Sequence, residues 1–451
     1  MADLRAFWTR LVEGLWFVPS LIVIGAILLA VGMVELSAAV GSEALAGWPR
    51  VFGVGAEGAR SMLAAIAGSM ITVAGVTFSI TMVAVTQASS QYTPRILRNF
   101  MGDRANQVVL GVFVGIFAYC LVVLRTIRGA DDLTFVPSLA VLLGVLLAIA
   151  GIAVLIFFVH HIATTLQASE IVARITRETV ETVDRLFPDA MDVEAAETAP
   201  ATLTAALATD RWRPVAAPAT GYIQRVDLEG LLRLTCERGL VVRLERQVGD
   251  FVIEEVPLAS LAPAAEHRAD PGGRDDDRPV EELIAARFTI GNFRTIDQDA
   301  SFGIRQLVDI ALKALSPGIN DTTTAVTCVD YLGAVLTRTS SRRIEAPYRS
   351  EDGVLRVVGP GITFEGLVNS AFDEVRQHAE GNVSVLARQL ATLELVARQT
   401  PSAARRGVLL KQIALIEETT NRTVPSAHDR EGLDVLAGRA RAAAGRGPNR
   451  I

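Results

Sequence analysis

The densest grouping of residues able to do chemistry runs from Arg294 to Asp321, RTIDQDASFGIRQLVDIALKALSPGIND, where guanidinium, carboxylate and amide groups crowd onto one helix and its flanks. Phe302, Leu307, Ile310 and Ala314 recur at helical spacing, which predicts a helix over 300–315. Arg294, Asp297 and Asp299 precede that helix, where its dipole favours carboxylates. Arg305 and Asp309 stand four apart on one face. Ser316-Pro317-Gly318 ends the helix, and Asn320 or Asp321 caps the next one. Two chemistries fit this spacing. Caps and ion pairs would spend the charges on holding the fold. Alternatively, Arg294, Asp297, Asp299, Arg305, Asp309, Asn320 and Asp321 bind a ligand or cation between the two ends of the helix and the Ser-Pro-Gly-Ile-Asn-Asp turn.

Catalysis is not expected. The chain shows no Ser-His-Asp arrangement, HExxH, Walker loop or GxGxxG after a strand, and no cofactor is expected. Cys120, Cys236 and Cys328 are too few and too dispersed for a disulfide framework or a CxxC metal site, so no metal is expected either. A formal net charge of −6 with no basic stripe excludes nucleic acid as a partner.

The elements that must position these residues begin with a membrane domain. Half of the 451 residues are hydrophobic, and the mean hydropathy is +0.36. Met62 to Val85 carries no charge, long enough for a helix to cross a hydrocarbon core of about 30 Å. Four spans are predicted, over 15–36, 62–87, 108–124 and 136–159. Arg5, Arg10, Arg95, Arg98, Arg104, Arg174 and Arg177 flank one side, and Arg50, Arg60, Arg125 and Arg128 the other. The larger group marks the cytoplasmic side, which puts both termini there, in a bacterial inner membrane.

Within the second span Ser69, Thr72, Ser79, Thr86 and Ser90 fall on one stripe. Packing is one reading, because Gly68 with Thr72 and Gly75 with Ser79 are small-xxx-small pairs that let helices approach in lipid. Lining a water-filled path is the other. His160 and His161, at the end of the fourth span, are candidates for a gate or mouth, although adjacent histidines point about 100° apart and suit one metal poorly.

The predicted organisation is a four-helix transmembrane domain over 1–160, a stalk helix and linker over 161–215, and a small β module over 216–262. A mobile loop follows over 263–280, then a mainly helical cytoplasmic domain over 281–430 and a frayed Arg/Ala/Gly-rich tail over 431–451. The soluble part is thus α+β. Its β module resembles the barrel-sandwich hybrid of lipoyl and biotinyl domains, in the order glycine, strand, helix, strand, Gly249-Asp250 turn, strand, Pro257-Leu258. Residues 216–262 hold no lysine, so no swinging prosthetic group is expected.

QYTPRILRNFMGDRANQVVLGVF at 91–113, GYIQRVD at 221–227, VGDFV at 248–252 and RTIDQDASFGIRQLVDIALKALSPGINDTTTA at 294–325 together resemble the bacterial membrane-protein family catalogued as domain of unknown function 2254. The resemblance runs from about residue 10 to about residue 420 and implies the membrane architecture without an activity. Thr322 stands where the family pattern leads one to expect proline, a change a first helical turn tolerates. The expected function is a homo-oligomeric ion channel or channel-like transport protein gated by its cytoplasmic domain, with the lipid bilayer and further copies of itself as partners. Its alternative is a membrane-anchored sensor or scaffold whose soluble domain binds a small ligand or a protein.

Overall fold

A computed structural model describes residues 16–45, 55–91, 103–128, 135–165, 167–188, 212–264, 278–344, 348–351 and 354–446. The chain divides into two units, Met1–Glu170 and Ile171–Ile451.

The first unit holds α1 (Phe17–Leu45), α2 (Ala56–Gln91), α3 (Arg104–Thr126) and α4 (Ser138–Thr165). All four are long and apolar enough to cross a membrane, as the four apolar runs led one to expect. A helix keeps every backbone polar group paired within itself, which a bilayer demands of a spanning segment. The 36 residues of α2 reach roughly 54 Å at about 1.5 Å each, well beyond the apolar core of a bilayer. Helix α3 lies at the centre of the bundle, with half of its apolar stretch buried against 6% for α1. Close approach of α1 to α3 depends on Gly111, where a Cβ would stand 2.7 Å from Ile22 Cδ1 and 3.0 Å from Pro19 Cα. The interior is filled by Leu63, Phe113, Ile116, Tyr119 and Phe158. Two of its polar side chains tie helices together: the Tyr119 hydroxyl donates to the Ala140 carbonyl at 2.8 Å, and Ser37 accepts from the Ala140 amide while donating to Met33.

The second unit opens with α5 (Ala168–Leu186), whose Ile171, Val172, Ile175 and Val183 are buried. The stalk expected from its amphipathic pattern is instead a packed helix. Asp184 accepts from Arg338 and Arg342, and a Cβ at Gly303 would meet the Thr179 hydroxyl. The strands are β1 (Arg213–Ala216), β2 (Gly221–Val226), β3 (Leu240–Leu244), β4 (Phe251–Val252), β5 (Pro257–Pro263), β6 (Phe288–Gly291), β7 (Tyr348–Glu351) and β8 (Val354–Val358). One sheet has the order β1-β5-β3-β8-β7, parallel where β3 meets β8 and antiparallel elsewhere; the other is antiparallel, in the order β4-β2-β6. Helices α6 (Leu228–Arg238) and α7 (Val280–Ala285) complete a core of Val215, Ile223, Leu231, Val242, Leu258, Leu261, Ile284 and Val357.

The barrel-sandwich-hybrid form read into 216–262 is not what the strands build. Those strands divide between two sheets and need β6, β7 and β8, from beyond residue 262, to complete them. A strand's apolar pattern fixes its faces and leaves its neighbours open.

The helical remainder is α8 (Ala300–Leu315), α9 (Thr322–Ser340), α10 (Phe364–His378), α11 (Val383–Gln399), α12 (Ala403–Thr423) and α13 (Ala427–Arg446). Leu307, Val329, Leu332, Phe372, Leu390 and Ile413 are fully enclosed in this layer. The tail expected to fray is helical as far as Arg446, because its alanines favour helix and Leu433, Ala437 and Ala440 bury one face. Most of the loop expected over 263–280 and of the linker before residue 212 lies outside the described residues.

Candidate functional site

Asp299 starts α8 as its N-cap, with Oδ1 accepting from the Phe302 amide at 3.0 Å. Its other oxygen accepts from Arg294 Nε at 3.0 Å and Nη2 at 2.6 Å, and the Arg294 guanidinium lies 5.0 Å over the Phe302 ring. The Asp299 side chain is only 2% exposed. Burial pushes its carboxyl above the ordinary value, against the opposing pull of Arg294 and the Phe302 amide. The turn between β3 and β4 presses on this pair. Gly249 has φ +93°, and a Cβ there would sit 2.2 Å from Asp299 Oδ2. Only glycine meets both demands.

One turn further along α8, Arg305 donates from Nε to Asp309 at 2.7 Å and from Nη1 to Glu374 of α10. Helix α10 begins at Thr363, whose hydroxyl oxygen accepts from the Gly366 amide at 3.0 Å. Between the β3–β4 turn and the first turns of α8 and α10 lies a cleft of about 340 Å³. Its walls include Gln247, Asp250, Arg294, Asp299, Ser301 and Arg305, facing Thr363, Ser370 and Glu374.

Of the residues singled out in the sequence, Arg294, Asp299 and Arg305 line this cleft, and Asp309 stands behind Arg305. The others lie elsewhere. The Asp297 backbone carbonyl accepts from Arg185 at 2.6 Å. Asn320 holds a left-handed turn at φ 51°, and Asp321 caps α9 through the Thr324 amide and hydroxyl, bonds that keep its carboxyl below the ordinary value. A site joining both ends of α8 is not built, because its 16 residues separate those ends by roughly 24 Å. Asp250, Thr363, Ser370 and Glu374 went unnoticed in the sequence. The Gly-Asp turn was a signal for the first, whereas nothing local to Glu374 announces a partner 69 positions away.

In the membrane unit, Leu63, Ala67, Met70, Ala74, Thr77 and Ala84 of α2 face the bundle. Ser69, Thr72, Ser79 and Thr86 are exposed on the rest of the helix, each donating to the carbonyl four residues back at 2.8 to 2.9 Å. Nothing stands within 4 Å of a Cβ built on Gly68 or Gly75. The Ser90 side chain lies outside the described residues. His161 Nε2 lies 2.6 Å from Asp103 Oδ2, and its ring stacks on Phe157 at 5.6 Å; Asp103 also caps α3 through the Ala105 amide. His160 is exposed. Among the described residues, no three His, Cys, Asp or Glu side chains converge as a metal site requires.

Four apolar spans beside a charged α+β unit define a multi-span membrane protein. The model of the predicted membrane protein family DUF2254 matches residues 13–395, and the chain belongs to that family. Uncharacterised proteins of Mycobacterium bovis and Mycobacterium tuberculosis are each 33% identical to it over 385 residues, covering 85% of this chain and 72% of theirs. No solved structure matches it.

Proposed function

We propose that the protein is a homo-oligomeric ion channel or channel-like transport protein of the bacterial inner membrane, with cytoplasmic termini and with its α+β unit as the gate control. The observation that carries this reading is the direction of the α2 stripe. The bundle of one copy is filled by aromatic and aliphatic side chains, while Thr72, Ser79 and Thr86 turn outward beside two bare glycines. A path would therefore form between copies. Each hydroxyl gives its proton to its own helix, so its lone pairs face outward and offer oxygen acceptors to water or a cation. Association through small residues suits helices in lipid.

Single cysteines at Thr72, Ser79 and Thr86 are expected to react with a hydrophilic thiol reagent in membranes, while cysteines at Phe78 and Ile80 on the flanks stay silent. Thiol chemistry needs water and access. Ser79→Leu is expected to abolish ion flux in liposomes with assembly intact, since one apolar ring can dewet a narrow path. Silence at all three stripe positions, with flux no greater than that of empty liposomes, overturns the channel.

A second reading, a membrane-anchored sensor, is favoured by the cleft at the start of α8. There the spans anchor, and the α+β unit binds a small ligand.

A further inference from the structure

A cleft of about 340 Å³ stands at the small end of ligand sites, which run from roughly 300 to 1,000 Å³. No aromatic side chain is among those lining it, so a nucleobase or other flat ring would find no stacking platform. Its walls are charged with both signs. Arg294 and Arg305 face Asp250, Asp299 and Glu374, an acidic excess of one. The first turns of α8 and α10 supply about half a positive charge each, which brings the balance close to zero. An anion alone would have to displace carboxylates from both arginines, because Arg294 is held by Asp299 and Arg305 by Asp309 and Glu374. A cation alone would face two helix N-termini. What remains open is divided by sign. Asp250 accepts from the Gln247 amide at 3.0 Å and, among the described residues, has no cationic side chain paired with it. Across from it stand the hydroxyls of Ser301 and Thr363 at the helix starts and of Ser370 two turns into α10.

We propose that this cleft binds a small zwitterion of the α-amino-acid class, with its ammonium against Asp250 and its carboxylate toward the first turns of α8 and α10. The proposal rests on the second reading above, that the cleft is a ligand site, and stands whether or not the spans conduct. Both charges of such a ligand meet complementary groups without breaking either wall ion pair, and the molecule is small enough to be enclosed.

The test is the melting temperature of the full-length protein in detergent, with titration calorimetry, against six probes. L-serine and L-glutamine carry both charges. Ethanolamine and 4-aminobutanamide lack the carboxylate, and 3-hydroxypropionate and glutaramate lack the ammonium. A zwitterion held about tenfold above its dissociation constant is expected to raise the melting temperature by roughly 1–2 °C, and the single-charge probes to leave it unchanged. Asp250→Asn keeps the acceptor for the Gln247 amide and removes the charge; at least tenfold weaker zwitterion binding is expected. Equal shifts from the amines or the acids, or undiminished binding by Asp250→Asn, overturn the zwitterion while leaving a ligand site. No shift with any of the six overturns both.

Discussion

Arg405 shows how one side chain can close a helix that is distant in sequence. It is 2% exposed, and its Nη1 donates to the carbonyls of Thr339, Ser340 and Arg342 at 3.2, 3.0 and 2.9 Å. Those are the last carbonyls of α9 and the turn after it, where a cation meets the negative end of the helix dipole. The guanidinium also lies 5.2 Å over the Phe364 ring, at the start of the helix that walls the cleft. The Thr339 carbonyl keeps the Arg342 amide, but the Ser340 and Arg342 carbonyls lose this donor, at about 1–3 kcal/mol each. Arg405→Met is therefore expected to lose about 2 kcal/mol or more, a fall of at least ~2 °C in the melting temperature of the full chain. Arg405→Lys should recover less than half of that loss, because an ammonium cannot reproduce the planar fork. Its sequence neighbourhood, SAARRGV, does not distinguish Arg405 from Arg406. Arg406 bonds the local carbonyls of Thr400 and Pro401, whereas Arg405 reaches back more than sixty residues.

At the scale of elements, α5 and α9 are clasped by Asp184, which accepts from Arg338 at 2.6 and 2.9 Å and from Arg342 at 2.8 Å. The bond from Arg338 is the chief cause that holds its carboxyl below the ordinary value, with the charge of Arg342 adding to it. A carboxyl depressed in the folded state contributes stability that is present above the unfolded value, near 3.9, and is lost as the pH falls through the lower folded value. The melting temperature is therefore expected to drop as the pH is taken below about 4. In Asp184→Asn that part of the drop is expected to vanish, with a lower melting temperature at neutral pH. An acid limb identical in the wild type and the variant would remove Asp184 from this role. The amphipathic pattern of α5 revealed its apolar face in the sequence but not what that face packs against.

For the whole molecule, the arginine bias predicts an orientation that the helices alone do not. A reporter fused after Ile451 is expected to be active only on the cytoplasmic side; activity only in the periplasm would reverse the orientation and with it the side assigned to the α+β unit. Local sequence was enough for the four spans, the family, α8 with carboxylates before its start and its Arg305–Asp309 pair, and a cap for α9 at Asn320 or Asp321; the structure then chose Asp299 and Asp321 as the caps. Each depends on a local cause: an unbroken apolar length, a 3.6-residue period, or a side chain that bonds its own backbone within a turn. Only the packed fold settles that β2 pairs with β4 and β6 while β3 pairs with β5 and β8, and that the α2 hydroxyls face away from their own bundle. It also decided that Asp299 and Arg305 meet Glu374 and the Gly249 turn, whereas Asn320 and Asp321 sit a helix length away. Composition and period specify which face of an element is apolar, but the identity of its neighbour follows from how all the faces pack at once.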